Sequence, residues 1–311
     1  MKMMSRLEKF QGIFPAFYAC YDKEGNVDAE AAGKLTSYFI EKGVKGVYVG
    51  GSSGECIYQS TEDRKKTLEA VMKEAAGKLT VIAHVGCNNT RDSRELAAHA
   101  ESLGVDAVAS IPPIYFHLPE YGIADYWNDI SSAAPHTAFV IYNIPQLAGT
   151  ALTPKLLARM LENPNVIGVK NSSMPVQDIQ IFKSLGTAKR GSFIVFNGPD
   201  EQLVSGLAIG ADAGIGGTYG AMPELYLKIY RCMEMNRVEE ARQIQNAAND
   251  IIAKLCSGYG NMYGMIKEVL RIREGIDIGG VRKPLTGLNE EDRKTAQEAA
   301  KMIDEAVAEY C

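Results

Sequence analysis

The sequence predicts an α/β fold, a (β/α)8 TIM barrel with a C-terminal helical extension, and three observations predict it. Eight short apolar runs rich in Val, Ile and Ala recur before residue 217. Each is continuous rather than alternating, as a strand buried on both faces requires. Helical patterns separate the runs, which is the periodicity of repeated βα units. A doubly wound sheet is the alternative, but eight regular units without a G-x-G-x-x-G turn favour the closed barrel.

The units follow in order. Residues 12–20 form the first apolar run, and a turn at 22–25 leads to a helix over 28–42 with Asp28 as its N-cap. Strand 46–51 runs through the turn Gly50-Gly51-Ser52-Ser53-Gly54 to a helix over 61–76, whose charged face is a solvated one. Strand 79–85, helix 91–103 and strand 107–111 repeat the pattern until Pro112-Pro113 ends it. An aromatic loop, 114–119, then precedes helix 121–133, strand 138–144, helix 154–162 and strand 166–171. Helix 175–185, strand 193–197, helix 201–209 and strand 213–216 complete the series. Beyond Pro223 only helical patterns remain, at 224–235, 238–257, 261–274 and 290–310. The expected division is therefore a barrel over 1–222 carrying the active site and a helical extension over 223–311.

Composition narrows the function. The 311 residues are 46% hydrophobic with a net charge of −5, so a sizeable core is available and the basic footprint of a nucleic-acid binder is missing. No apolar run approaches the roughly 18 residues a spanning helix needs, and residues 1–11 are too polar for a signal peptide. A cytoplasmic protein with no membrane partner is expected. Six scattered cysteines without a C-x-x-C pair, and four histidines without an H-E-x-x-H pattern, give no reason to expect a metal or other cofactor. Cys56 could be a nucleophile, yet no histidine lies near it in sequence. His84, inside an apolar run, reads as a hydrogen-bonded barrel residue.

The chemistry centres on Lys170, set in Val166-Ile-Gly-Val-Lys-Asn-Ser-Ser173. A lysine in a buried strand must find a partner, reach a rim, or lose its proton. At an ordinary pKa of about 10.4 an amine is neutral roughly once in 2,500 molecules at pH 7. Bringing the value to about 7 takes roughly 4.6 kcal/mol of differential destabilisation, within the reach of burial. A neutral amine can then attack a ketone and form an imine. Barrel strands end at one rim, where Tyr142 would supply a proton-carrying phenol, Ser52 and Ser53 hydroxyls for a small anion, and Tyr115, Gly198, Asp200 and Glu201 further contacts. The alternative is structural, with Lys170 reaching solvent and Tyr142 packing the core.

Five segments in order, Tyr48-Val-Gly-Gly-Ser-Ser-Gly-Glu55, Ile82-Ala-His-Val-Gly86, Tyr142-Asn-Ile-Pro145, Gly168-Val-Lys170 and Gly198-Pro-Asp-Glu201, together with Arg282-Lys283-Pro284, resemble the pyruvate-dependent class I aldolases of the dihydrodipicolinate synthase and N-acetylneuraminate lyase superfamily. The resemblance covers nearly the whole chain. It implies that Lys170 forms a Schiff base with pyruvate, that Tyr142 transfers protons, and that Ser52 and Ser53 hold the pyruvate carboxylate.

Within that superfamily, the synthases carry an Arg shortly after Tyr-Asn-x-Pro, where this chain has Leu147. That difference removes a carboxylate-gripping fork. The chain is similar to the lyase subgroup, which cleaves N-acetylneuraminate to N-acetylmannosamine and pyruvate. On that reading Asp200 and Glu201 bind sugar hydroxyls, Ser172 fills the place after the lysine, and the chain is a homotetramer in which Tyr115 reaches a neighbour's site. It departs from the pattern at Gly217, where lyases usually have a Ser, and at Pro199. A dihydrodipicolinate synthase and an aldolase for a 2-keto-3-deoxy sugar acid are alternatives, as is a non-catalytic sensor on the same fold.

Overall fold

The computed structural model of the protein describes residues 7–311. Eight strands form one sheet: β1 (Gly12–Pro15), β2 (Gly46–Val49), β3 (Thr80–His84), β4 (Ala107–Ser110), β5 (Ala138–Asn143), β6 (Val166–Asn171), β7 (Ile194–Asn197) and β8 (Ala213–Gly216). Their order, β1-β8-β7-β6-β5-β4-β3-β2, follows the chain around the sheet, and the pairings from β3 through β8 are parallel. A bond from Lys45 N to Ile13 O, 3.0 Å long, brings the start of β2 to β1. The sheet is a nearly closed TIM barrel, as the eightfold spacing predicts.

Every residue of β3, β4, β5 and β7 is buried, which is why their sequences run apolar without alternation. In β6 the run is interrupted by Gly168, whose Cβ would lie 2.4 Å from the Ile194 carbonyl oxygen on β7. Only a residue without a side chain lets the two strands approach there.

The chain divides into two compact units. The first holds the residues up to Phe14, Lys45–Tyr48 and Thr80–Ile215, and so contains the sheet apart from one terminal residue each of β1, β2 and β8. Its helices include Thr90–Ser102, Glu120–Ala133, Pro154–Met160 and Gln177–Arg190. The second holds Pro15–Val44, Val49–Leu79 and Gly216–Cys311, with the helices Ala29–Glu41, Thr61–Ala75, Pro223–Glu234, Val238–Cys256, Met262–Glu274 and Glu290–Tyr310.

Six of the helices begin at a residue whose side chain caps them. Asp28 accepts from Ala31 N at 3.0 Å, and Ser60 and Asp63 form a reciprocal capping box. Two local expectations change. The run 12–20 is a strand only to Pro15: Ala16 adds one bridge, its N–H donating to Gly216 O at 2.9 Å, and Phe17–Cys20 is buried outside the ladder. A four-residue helix, Pro145–Ala148, occupies a stretch too short for periodicity to reveal.

Candidate active site

Strands β5, β6 and β7 set two rows of side chains in register. Tyr142, Lys170 and Phe196 are neighbours in one row, and Asn143, Asn171 and Asn197 in the next. Because successive residues of a strand face opposite ways, the first row lies on one face of the sheet and the second on the other.

On the first face Lys170 is 5% exposed, and its Nζ lies 3.9 Å from the centre of the Tyr142 ring and 4.4 Å from that of Tyr48. The rings support one another. Tyr48 meets Tyr142 edge-on at 5.7 Å, and His84 meets Tyr142 edge-on at 6.0 Å. His84 is fixed in turn, its Nε2 accepting from Ile111 N at 3.4 Å, so it is the hydrogen-bonded barrel histidine the sequence suggests. Burial disfavours an ammonium at this place, while the two ring faces favour it. The amine is held in a shielded aromatic cage from which it can meet a carbonyl carbon.

On the second face Asn143 Nδ2 donates to Asn171 Oδ1 at 2.7 Å, and Asn143 Oδ1 accepts from Leu152 N at 2.9 Å. Ser173 Oγ lies 3.0 Å from Asn171 Oδ1 and 2.6 Å from Asp178 Oδ2, and Asn197 Nδ2 donates to Pro199 O at 2.7 Å. These buried amides lock the strand ends next to Tyr142 and Lys170. Sequence reasoning misses the row, although its signal is visible: Tyr-Asn, Lys-Asn and Phe-Asn close three successive strands.

Ser172 and Gly198 come together just past the amides. Ser172 N donates to Asn143 O at 2.7 Å and Gly198 N to Asn171 O at 2.8 Å. A Cβ on Gly198 would lie 2.0 Å from Ser172 Oγ, so the glycine makes room for that hydroxyl. Asp200 and Glu201 start a one-turn 3-10 helix after β7, where Asp200 is buried and Glu201 exposed. Tyr115 is 87% exposed in the loop after β4, with a φ of 84° and its ring edge-on to Phe116 at 5.0 Å. It is not among the rings around Lys170.

In the second unit Ser52 is half-buried and Ser53 buried, with the Ser53 carbonyl accepting from Ala19 N at 3.2 Å. Leu147 stands 62% exposed on the short helix Pro145–Ala148. Among the described residues no group of three or more His, Cys, Asp or Glu is placed to hold a metal ion, and no helix is long and apolar enough to cross a membrane.

A model of the dihydrodipicolinate synthetase family matches residues 9–303. The chain belongs to that family. Its match to the dihydrodipicolinate synthetase model spans every strand of the barrel, and the Lys170 and Tyr142 row falls inside it. An N-acetylneuraminate lyase of Mediterraneibacter gnavus is 65% identical over 309 residues, covering 99% of this chain and 97% of that protein. A solved structure described as a Ruminococcus gnavus sialic acid aldolase catalytic lysine mutant is 65% identical with a TM-score of 0.96, covering 98% of this chain and 99% of that one. A solved structure described as CdNal from Clostridium difficile in complex with mannosamine is 27% identical with a TM-score of 0.87, over 94% and 98% of the two chains. Family membership makes this chain a carbon–carbon lyase.

Proposed function

We propose that the protein is a class I, Schiff-base aldolase that cleaves N-acetylneuraminate to N-acetylmannosamine and pyruvate. The observation that carries the reading is the buried Lys170 amine lying against the Tyr142 ring, in a chain 65% identical to an N-acetylneuraminate lyase.

In this mechanism the neutral amine of Lys170 attacks the C2 ketone of the open-chain sugar acid, and the carbinolamine loses water with a proton supplied by Tyr142. The resulting iminium is the electron sink. As the C4 hydroxyl gives up its proton to the tyrosinate, the C3–C4 bond breaks, N-acetylmannosamine leaves as the aldehyde, and the bonding pair forms an enamine. Protonation at C3 and hydrolysis of the iminium release pyruvate and restore the amine. Ser52 and Ser53 hold the keto acid's carboxylate, and Ser172, Gly198, Asp200 and Glu201 receive the sugar hydroxyls. The domain reading that accompanies this keeps the active site on a barrel over 1–222, with 223–311 as a helical extension.

We also propose a homotetramer in the cytoplasm. Tyr115 and Phe116, edge-on to one another, are 87% and 75% exposed and Tyr121 is 60% exposed, aromatic surface that suits burial against a neighbour whose site Tyr115 would reach. Six free cysteines suit a reducing compartment.

Gly217, in place of the usual lyase serine, favours a second reading, an aldolase acting on a 2-keto-3-deoxy sugar acid. Dihydrodipicolinate synthesis finds less support, because Leu147 cannot grip a carboxylate. Pyruvate release, followed through lactate dehydrogenase, separates them. N-acetylneuraminate should turn over far faster than keto-deoxy sugar acids, and no pyruvate from it would overturn the assignment.

A further inference from the structure

The turn that carries Ser52 and Ser53 is anchored by charge from far along the chain. Within it Gly54 N donates to Gly51 O at 3.1 Å, Glu55 N to Ser52 O at 2.9 Å and Cys56 N to Gly51 O at 3.3 Å. The turn closes at Glu55 in the left-handed conformation, φ 54°, ψ 32°, which a residue with a side chain seldom adopts unless its surroundings hold it there.

What holds Glu55 is a three-way junction inside the second unit. Its Oε1 lies 2.8 Å from Lys267 Nζ on the helix Met262–Glu274, and its Oε2 accepts from Arg282 N at 2.8 Å. Lys267 Nζ also donates to Gly280 O at 2.6 Å. Both charged side chains are shut away from water, with 0% of Glu55 and 2% of Lys267 exposed. The segment is then strapped down by the Arg282 guanidinium, which donates to Tyr58 O at 3.1 Å, Asp63 Oδ2 at 2.7 Å and Gly25 O at 2.8 Å. The Tyr21 ring takes both cations, Arg282 at 4.6 Å and Lys267 at 5.0 Å from its centre.

A buried ion pair is a poor way to gain stability, because an apolar pair of similar shape serves as well or better. It does fix geometry. A carboxylate two residues from Ser53 would, if unpaired, also repel an anion approaching the turn. Lys267 and the Arg282 N–H absorb that charge.

We propose that Glu55, Lys267 and the Gly280–Arg282 strap form a positioning device that fixes the Ser52–Ser53 turn and neutralises it for the carboxylate of the keto acid. The inference rests on the reading above that this turn holds that carboxylate. Glu55, Lys267 and the strap act through the turn and are assigned no contact with the reacting atoms.

Borohydride trapping of ketones on Lys170 tests it. Pyruvate carries the carboxylate; acetone presents the same carbonyl without it. We expect Glu55→Gln, and the apolar double variant Glu55→Leu with Lys267→Met, to raise the half-saturating pyruvate concentration about tenfold, with acetone trapping within about twofold of the parent. Lys267→Met alone should raise it further, because it leaves the Glu55 carboxylate bare beside the turn. The double variant replaces the pair by packed apolar groups, so it keeps the test decisive where a single variant does not fold. A folded double variant that binds pyruvate like the parent, or variants in which pyruvate and acetone trapping fall together, would overturn the proposal. A parent protein that traps acetone but gains nothing from pyruvate's carboxylate would instead refute the assignment of Ser52 and Ser53.

Discussion

Tyr142 and Lys170 are register partners on adjacent parallel strands, and the amine lies 3.9 Å from the centre of the phenol ring. Neighbouring strands at matched positions present side chains side by side, so the spacing follows from the ladder rather than from flexible loops. Tyr48 and His84 fill the other sides of the same ring.

In the proposed mechanism the Tyr142 hydroxyl moves protons in both dehydration and cleavage, while the bond to the keto acid is made by Lys170 alone. Tyr142→Phe keeps the ring that packs on Lys170, Tyr48 and His84 and removes only the hydroxyl. Trapping of pyruvate should persist while kcat falls by about 100- to 10,000-fold, the usual worth of a positioned acid–base group. Steady-state kinetics beside borohydride trapping checks this, and parent-like turnover would contradict the role.

Gly198 should tolerate no side chain. Its Cβ would lie 2.0 Å from Ser172 Oγ and 2.8 Å from Asn171 O. Gly198→Ala is expected to lose roughly 1–3 kcal/mol of stability, as overpacking does, and to impair turnover by displacing Ser172. Urea melts and kinetics on the same preparation report the two effects.

The amide row predicts a different failure. Asn171→Leu leaves Asn143 Nδ2 without its acceptor and takes away one of the two partners of Ser173. A buried donor left unsatisfied costs about 1–3 kcal/mol. Equilibrium unfolding should register that loss, and stability equal to the parent's would show the row to be dispensable.

Asp292 gives the acid limb of stability. Its carboxylate accepts from the N–H groups of Asn289 at 2.9 Å, Tyr259 at 2.7 Å and Gly260 at 3.1 Å. These bonds, that of Asn289 foremost, hold its pKa below the usual aspartate value. A depressed folded pKa stabilises above the unfolded value of about 3.9 and loses that contribution as pH falls through the lower folded value. Asp292→Ala should cost roughly 1–2 kcal/mol at pH 7, with the gap to the parent closing below about pH 4. Denaturant titrations at pH 7 and across the acid range test the sign.

Much of this was legible in the sequence. Continuous apolar runs give buried parallel strands, Asp28 announces its helix, and a lysine at a strand's end with a phenol on the strand before it points to one rim. What stayed hidden depends on contacts between distant residues. Glu55 and Lys267 lie 212 positions apart, and neither periodicity nor spacing links them. The burial of Asp200 beside an exposed Glu201 is likewise set by the helical turn after β7, where the sequence shows only two adjacent acids.

Lys170 is assigned as the nitrogen that captures the keto acid. Reduction with borohydride in the presence of pyruvate, followed by mass spectrometry of the digested protein, identifies that nitrogen. One reduced pyruvyl adduct is expected, on the peptide containing Lys170 and lost in Lys170→Ala. An adduct on another lysine, or none on a folded, active protein, would contradict it.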